Sequence, residues 1–408
     1  MKRSSFVLIT LIFALAIAGL AQDLSSPAKG TIIAPPSTLN RVPGKVHTSL
    51  YIFIPADRTL PSIPNGENPA SLACIYGVVA PTSGCPKSST LVPTGGSKAI
   101  AVVEYGTYSN VQSDLNTFST QFGLPGVTIT QLCLPSPPCV DNNGSGWDVE
   151  EALDVEYAHA MAPHAQIIIS SFANDPIGDG AETAAADAVA TAGGGEVSNS
   201  WTYNGGESWC GSGNCELQYD QYFSVNTVVF FGSAGDSGLG VAYPSISPNV
   251  ISAGGTLIRR DSNGNFTGEE DCWNGSGGGI SQYEPLPNYQ FLVEGRTGPH
   301  RGTPDWAADA SPASGVDIYD SSSGGCRGWC TVGGTSVASP LLAGITNQAG
   351  NFHPSTSSDL TTTYGYYKTP GVYRYYFYDV TVGSNGSPAK LGWDECTGLG
   401  TPRHPSGF

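Results

Sequence analysis

A serine stands at the expected mouth of a helix in Val332-Gly333-Gly334-Thr335-Ser336-Val337-Ala338-Ser339-Pro340. The glycines allow a tight backbone turn just ahead of Ser336. The helix that follows would aim its unpaired N–H groups and positive dipole end at that residue. Such a placement suits a nucleophile whose attack on a carbonyl creates an oxyanion. Pro340 falls in the first turn, where its missing N–H does little harm. An ordinary serine N-cap on a glycine-rich entry would read the same way. The second grouping is Glu150 and Asp154, which at i and i+4 of a helix share one face. Two carboxylates so placed repel when both are ionised, so the pair shares a proton and its pKa values split. In acid, one can act as base toward a hydroxyl while the other holds it by a hydrogen bond. A histidine base would be protonated there and useless. The neighbours Glu151 and Glu156 read as an exposed acidic face of the same helix.

Other candidates carry less by themselves. Asp236, in Phe231-Gly232-Ser233-Ala234-Gly235-Asp236-Ser237-Gly238, reads as an Asx-turn residue between glycines. Glu104 and Trp201 read as strand-end structural residues. Asp379 and Asp394 read as turn aspartates in glycine-rich loops. His159 reads as a packing or hydrogen-bonding residue on the helix that carries Glu150.

The elements that must position these residues alternate. Lys98–Glu104, Gln166–Ser171, Thr227–Phe231 and Val250–Ala253 are short apolar runs, predicted as buried strands. Asn110–Phe122, Val149–Ala162, Gly180–Ala192 and Ser336–Gln348 are predicted helices. Such alternation implies an α/β fold with a mostly parallel sheet covered by helices on both faces. Gly193–Gly195 and Gly275–Gly279 are expected as loops inside the domain.

Gly-Thr-Ser-x-x-x-Pro is shared by subtilisins and by sedolisins, the serine-carboxyl peptidases. A subtilisin would need a His-Gly-Thr-His-like segment and an Asp-Thr-Gly or Asp-Ser-Gly segment near the start, and none of the six histidines has that context. The run Glu150-Glu151-Ala152-Leu153-Asp154-Val155-Glu156-Tyr157-Ala158-His159-Ala160-Met161-Ala162-Pro163 resembles the sedolisin segment with the catalytic Glu and Asp. The resemblance runs from roughly Asn68 to Pro402 and implies a subtilisin-like three-layer fold. It implies Ser336 as nucleophile, Glu150 and Asp154 as its carboxylate partners, and Asp236 as a protonated oxyanion donor. It also implies supporting roles for Glu104 and Trp201, as in kumamolisin-like members. The segments Tyr378–Gly386 and Gly392–Gly400 resemble the sedolisin calcium segment, which implies one structural calcium held by Asp379, Val380, Lys390, Gly392 and Asp394. The implied activity is an acid-acting endopeptidase on polypeptides. A tripeptidyl-peptidase of the same family is the alternative within that class, and a non-catalytic secreted binding protein on the same fold is the alternative outside it.

Composition narrows the setting. The 408 residues hold 17 Lys+Arg against 34 Asp+Glu, a net charge of −17 that disfavours nucleic acid and anionic membranes as partners. Lys2 and Arg3, an apolar run from Phe6 to Ala18 and the small residues Gly19 and Ala21 predict a signal peptide over 1–21. The run is too short to span a bilayer, which needs ~20 apolar residues. Ten cysteines in an exported chain predict disulfides, with Cys133/Cys139, Cys210/Cys215 and Cys326/Cys330 close enough for local loops and the connectivity open. A secreted monomer is expected: a short Pro-, Ser- and Thr-rich leader over 22–66, extended and partly docked, in place of the long pro-domain usual in sedolisins, then the peptidase domain over 67–408.

Overall fold

The computed structural model describes residues 30–55, 65–211 and 215–408. The signal-peptide expectation for 1–21 lies outside them. Strands are labelled in chain order: β1 Gly30–Ile33, β2 Val46–Thr48, β3 Tyr51–Pro55, β4 Ala99–Tyr105, β5 Thr130–Cys133, β6 Gln166–Phe172, β7 Gly195–Asn199, β8 Trp201–Tyr203, β9 Val228–Ser233, β10 Ile251–Arg260, β11 Phe266–Cys272, β12 Gly279–Pro285, β13 His300–Thr303, β14 Trp306–Asp309, β15 Val316–Asp320 and β16 Gly328–Gly333.

The central sheet runs β11-β10-β9-β7-β4-β6-β5, with β14 also paired to β10, and only β10–β11 is antiparallel. Its strands are apolar on both faces because both faces are covered. Along β4, Ile100 and Val102 enter one core while Ala99, Ala101 and Val103 enter the other. The first core holds the helices Trp147–Met161 and Thr335–Ala349, and the second holds the helix Ala181–Thr191. The domain is therefore three layers, helix–sheet–helix, with the carboxylate helix and the serine helix side by side on one face.

One detail differs from the sequence reading. Gly195 is the first residue of a central strand, not a loop residue; a Cβ there would lie 1.9 Å from the Ala99 carbonyl, so the close approach of β7 to β4 requires glycine. Within the leader, residues 30–55 are described and dock on the domain through strands. β3 lies between β1 and β16 in a four-stranded sheet, and β2 pairs with β8.

All ten cysteines pair, as Cys74–Cys85, Cys133–Cys139, Cys210–Cys215, Cys272–Cys396 and Cys326–Cys330. One ion pair is fully enclosed. Arg301 donates to both oxygens of Asp305 at 3.1 and 2.6 Å, and also to the carbonyls of Ile246, Ser247 and Val250. Truncation of one partner leaves a buried charge alone, so Arg301→Ala is expected to cost about 3–5 kcal/mol in urea unfolding. Among the described residues no helix is long and apolar enough to cross a membrane.

Candidate active site

The carboxylate helix begins at Trp147, after Gly146 turns the chain at φ 90°. All fifteen of its residues are buried, between the sheet on one side and β15 and the helix Val111–Phe122 on the other. Glu150 and Asp154 are both fully enclosed, and Glu104 at the end of β4 is enclosed with them. No ion pair reaches any of the three among the described residues. Burial therefore raises them all, since it penalises the charged form. Glu150 is pushed well above the carboxylate range by burial and then by the Asp154 charge, while the Ser336 hydroxyl pulls it back. Asp154 is pushed up to about 8 by burial, against the Ser200 hydroxyl and Glu104. Glu104 is raised by burial first and by Asp154 and Glu150 next. No hydrogen bond of normal geometry reaches either oxygen of Glu104, either of Glu150 or Oδ2 of Asp154 among the described residues. A proton resident on one of these groups supplies the missing donor, which is how a cluster of acids stays buried.

Ser336 is the second residue of its helix, behind Gly334 at φ 118°. Its hydroxyl donates to the Ser200 carbonyl at 3.3 Å and accepts from the Ser49 N–H at 3.2 Å. Its own N–H donates to the Ser49 carbonyl at 3.1 Å. Ser200 ties the two groups together: its hydroxyl donates to Asp154 Oδ1 at 2.8 Å and lies 3.3 Å from the Ser336 carbonyl. Asp236 leaves the end of β9 beside this point. Its Oδ1 accepts from the Thr335 N–H at 2.8 Å and the Thr335 hydroxyl at 2.7 Å, while Oδ2 has no partner among the described residues. Burial raises Asp236 to about 6 in spite of those two bonds. A hydroxyl, a cluster of protonatable acids, a backbone N–H and a carboxyl with one free oxygen thus converge on one spot.

The residues singled out by sequence fall around this centre to different degrees. Ser336, Glu150, Asp154, Asp236 and Glu104 come together. Trp201 is fully buried next to Ser200, its ring edge-on to Tyr203 at 5.5 Å, with its N–H unpartnered among the described residues. Glu151 and Glu156 are not exposed. Glu151 accepts from Thr107, Asn142 and Tyr108, and Glu156 from the Tyr319 N–H, partners from distant elements. His159 is buried with Nε2 2.9 Å from the Pro125 carbonyl, and burial lowers it to about 4. Ser200 and Thr335 were not identified from sequence. Each is adjacent to a singled-out residue, but neither has a type that marks a role.

Asp379 and Asp394 belong to one C-terminal loop. Asp379 accepts from the Gly392 N–H, and Asp394 from the N–H groups of Lys390, Cys396 and Thr397. The carbonyls of Val380, Lys390 and Gly392 accept no hydrogen bond from the described residues. No three His, Cys, Asp or Glu side chains gather as a metal cluster among the described residues. Two carboxylates plus free carbonyls fit a hard, oxygen-seeking cation and do not fit a transition metal.

Comparison with known proteins bears on the family and the fold. The Subtilase family model matches residues 140–369. Kumamolisin from Bacillus sp. (strain MN-32) is 30% identical over 348 residues, covering 76% of this chain and 59% of that protein. Sedolisin from Pseudomonas sp. (strain 101) is 26% identical over 392 residues, covering 82% and 60%. Tripeptidyl-peptidase 1 from Dictyostelium discoideum is 26% identical over 344 residues, covering 76% and 53%. The chain thus spans between half and three-fifths of the length of these relatives. A solved structure of Pseudomonas sedolisin (serine-carboxyl proteinase), complexed with two molecules of pseudo-iodotyrostatin, superposes with a TM-score of 0.66 at 24% identity, covering 84% of this chain and 96% of that one. That likeness speaks for the fold.

Proposed function

The chain belongs to the subtilase family, in its sedolisin branch, and from that premise we propose that it is a secreted, acid-acting serine-carboxyl endopeptidase with its peptidase domain over 67–408. The observation that carries this reading is the convergence of Ser336 with three enclosed, unpaired acids and Asp236. Ser336 Oγ attacks the scissile carbonyl and Glu150 takes its proton. Asp154, backed by Glu104 and held by Ser200, orients Glu150 and shares its proton. The Ser336 N–H and protonated Asp236 donate to the oxyanion. Glu150 then returns the proton to the leaving amine, and water hydrolyses the acyl-enzyme. Thr335 leaves Oδ2 of Asp236 as the free oxygen, the one that would carry the donated proton.

Endopeptidase action is favoured over removal of tripeptides by the course of the leader. Its chain passes Ser336 and runs on in both directions, with more than three residues on the N-terminal side. A cleft that admits such a strand has no wall against a longer substrate. The test is an internally quenched peptide with a blocked N-terminus at acid pH. Cleavage supports the endopeptidase; cleavage of the unblocked peptide alone, three residues at a time, supports the tripeptidyl-peptidase.

The five disulfides fit export to an oxidising compartment. Asp379 and Asp394, with the carbonyls of Val380, Lys390 and Gly392, would hold one calcium, whose positive charge would bind the C-terminal loop together. Chelation is expected to lower the melting temperature by several degrees, with calcium restoring it, since a ligand at 100 times its Kd stabilises by about 2.7 kcal/mol. Asp379→Ala should remove the effect of the chelator.

A further inference from the structure

Asp236 sits in a loop that cannot hold its own shape. Three glycines, Gly235, Gly238 and Gly240, punctuate residues 235–241, all at positive φ, and glycine gives up the most conformational freedom on ordering. Leu239 is half exposed, so its side chain does not anchor the loop. The loop lies instead along a second glycine-rich run, residues 275–279. The Gly277 N–H donates to the Gly235 carbonyl at 2.7 Å, the Gly238 N–H donates to the Gly275 carbonyl at 2.9 Å, and Gly240 and Gly278 exchange two bonds at 2.6 and 2.8 Å. A Cβ on Gly277 would lie 1.9 Å from the Ala234 carbonyl oxygen, so the two runs meet backbone to backbone. Bonds between two such runs align them but leave the pair free to shift together.

A third segment sets their position. Asn385 belongs to the C-terminal loop and is buried. Its Nδ2 donates to the Ser276 carbonyl, within the glycine run, and to the Glu395 carbonyl, both at 2.9 Å. Its own carbonyl accepts from the Leu239 N–H at 2.7 Å. One residue thus joins the loop of Asp236, the glycine run and the far end of the C-terminal loop. That far end is itself fastened. Cys396 is bonded to Cys272, and Ser276 Oγ donates to the Cys396 carbonyl at 3.0 Å while accepting from the Gly255 N–H of β10 at 2.9 Å. The position calls for an amide. Oδ1 accepts from the Ser387 N–H at 3.0 Å, which an aspartate would do equally well. Only a neutral amide also offers two N–H groups to two carbonyls. A residue kept for its turn alone would need no Nδ2 bonds.

We propose, resting on the peptidase reading, that Asn385 is a positioning residue for the oxyanion hole: it sets the loop 235–241, and so the place of the Asp236 carboxyl, without touching substrate. The entry of the loop is held by Thr335, whose hydroxyl accepts from the Gly235 N–H at 3.0 Å and donates to Asp236 Oδ1 at 2.7 Å. The exit is held by Asn385 through Leu239, three residues on. Asp236 lies between the two clamps. A shift of ~1 Å in a catalytic group can cost about 100-fold in rate. Asn385→Ala removes both Nδ2 bonds and lets the C-terminal loop and the glycine run part. It is expected to lower kcat by about 10- to 100-fold while KM holds within about twofold, because the displaced group acts on the transition state.

The test measures kcat and KM on the quenched peptide at acid pH, with calcium in the buffer, for the full chain and for Asn385→Ala, Asp236→Ala and the double variant. A peptide aldehyde, whose adduct with Ser336 puts an oxygen where the oxyanion forms, is titrated against each. Asn385→Ala should weaken the aldehyde by the same factor as kcat. In the Asp236→Ala background the same change should lower kcat by less than about threefold, since the group it positions is gone. A loss of general stability would scale both backgrounds alike. Asn385→Asp keeps the size of the side chain and the bond to Ser387. It should match Asn385→Ala where its carboxyl is ionised and regain part of kcat in stronger acid, where a protonated carboxyl can donate once; it decides the matter, in the same two backgrounds, if the alanine variant does not fold. Equal losses in both backgrounds, an aldehyde affinity that holds while kcat falls, or an unchanged kcat would each overturn the proposal and leave the peptidase standing. Wild-type protein that neither cleaves the peptide nor binds the aldehyde would overturn the peptidase reading and this proposal with it.

Discussion

Ser336→Ala abolishes peptide cleavage, with kcat lowered by about 10⁴-fold or more while the melting temperature holds within a few degrees. The small Ser336 side chain ends in a hydroxyl that donates to the Ser200 carbonyl, accepts from the Ser49 N–H and acts on Glu150. Removing it takes away the attacking atom and little else. Glu150→Gln is expected to lose nearly as much, because an amide can orient but cannot take a proton. Combining the two should add little beyond the worse single variant, since groups that act as a unit are strongly non-additive. A Ser336→Ala protein that keeps a tenth of the wild-type kcat on the quenched peptide would rule out Ser336 as nucleophile.

Stability is expected to peak in acid and fall toward neutrality, the reverse of most proteins. Glu151, Asp154, Glu182, Glu196 and Asp359 are all pushed up to about 8, in each case chiefly by burial. Glu270 and Asp317 are raised to about 7, again by burial. Their values in an unfolded chain are about 4. The folded state therefore binds more protons than the unfolded state between these limits, and stability declines as pH rises. The contribution is complete below about pH 4 and is lost through about pH 8. For each buried carboxyl, a tenfold gain in proton affinity on folding corresponds to about 1.4 kcal/mol, so several such groups together outweigh any surface effect. Thermal melts at pH 4 and pH 8 should differ by about 10 °C or more in favour of acid. A flat profile, or one that rises toward pH 8, would show that these carboxylates are ionised in place and stabilised some other way.

Much of this architecture is legible in the chain because apolar runs fix the strands. The expected strand Lys98–Glu104 is found as Ala99–Tyr105, Gln166–Ser171 as Gln166–Phe172, and the helix Val149–Ala162 as Trp147–Met161. β7 was hidden because Gly193–Gly195 signal a turn, and only the approach to Ala99 explains a glycine inside a strand. The burial of Glu151 and Glu156 was also hidden. Their donors, Thr107, Asn142 and Tyr319, are brought in by tertiary folding and leave no local pattern. Ser200 and Thr335 are common residue types whose importance lies in their bonds to Asp154 and Asp236. The leader's strands β2 and β3 find partners in β8 and β16, 150 residues or more away in sequence, so nothing near them predicts their register. The shared face of Glu150 and Asp154 was legible from i, i+4 helix geometry, while the choice of these two over Glu151 and Glu156 came from the resemblance to the sedolisin segment.

The most direct measurement is kcat/KM on the N-terminally blocked, internally quenched peptide from about pH 2.5 to 8, using protein first held in acid. The acid cluster must keep one ionised carboxylate as base while Asp236 stays protonated, so activity is expected to be high in acid and to fall as pH passes about 6, where Asp236 loses its proton. Activity that peaks at or above neutrality would mean that an acid cluster is not the base, and would contradict the assignment of Glu150, Asp154 and Asp236 together.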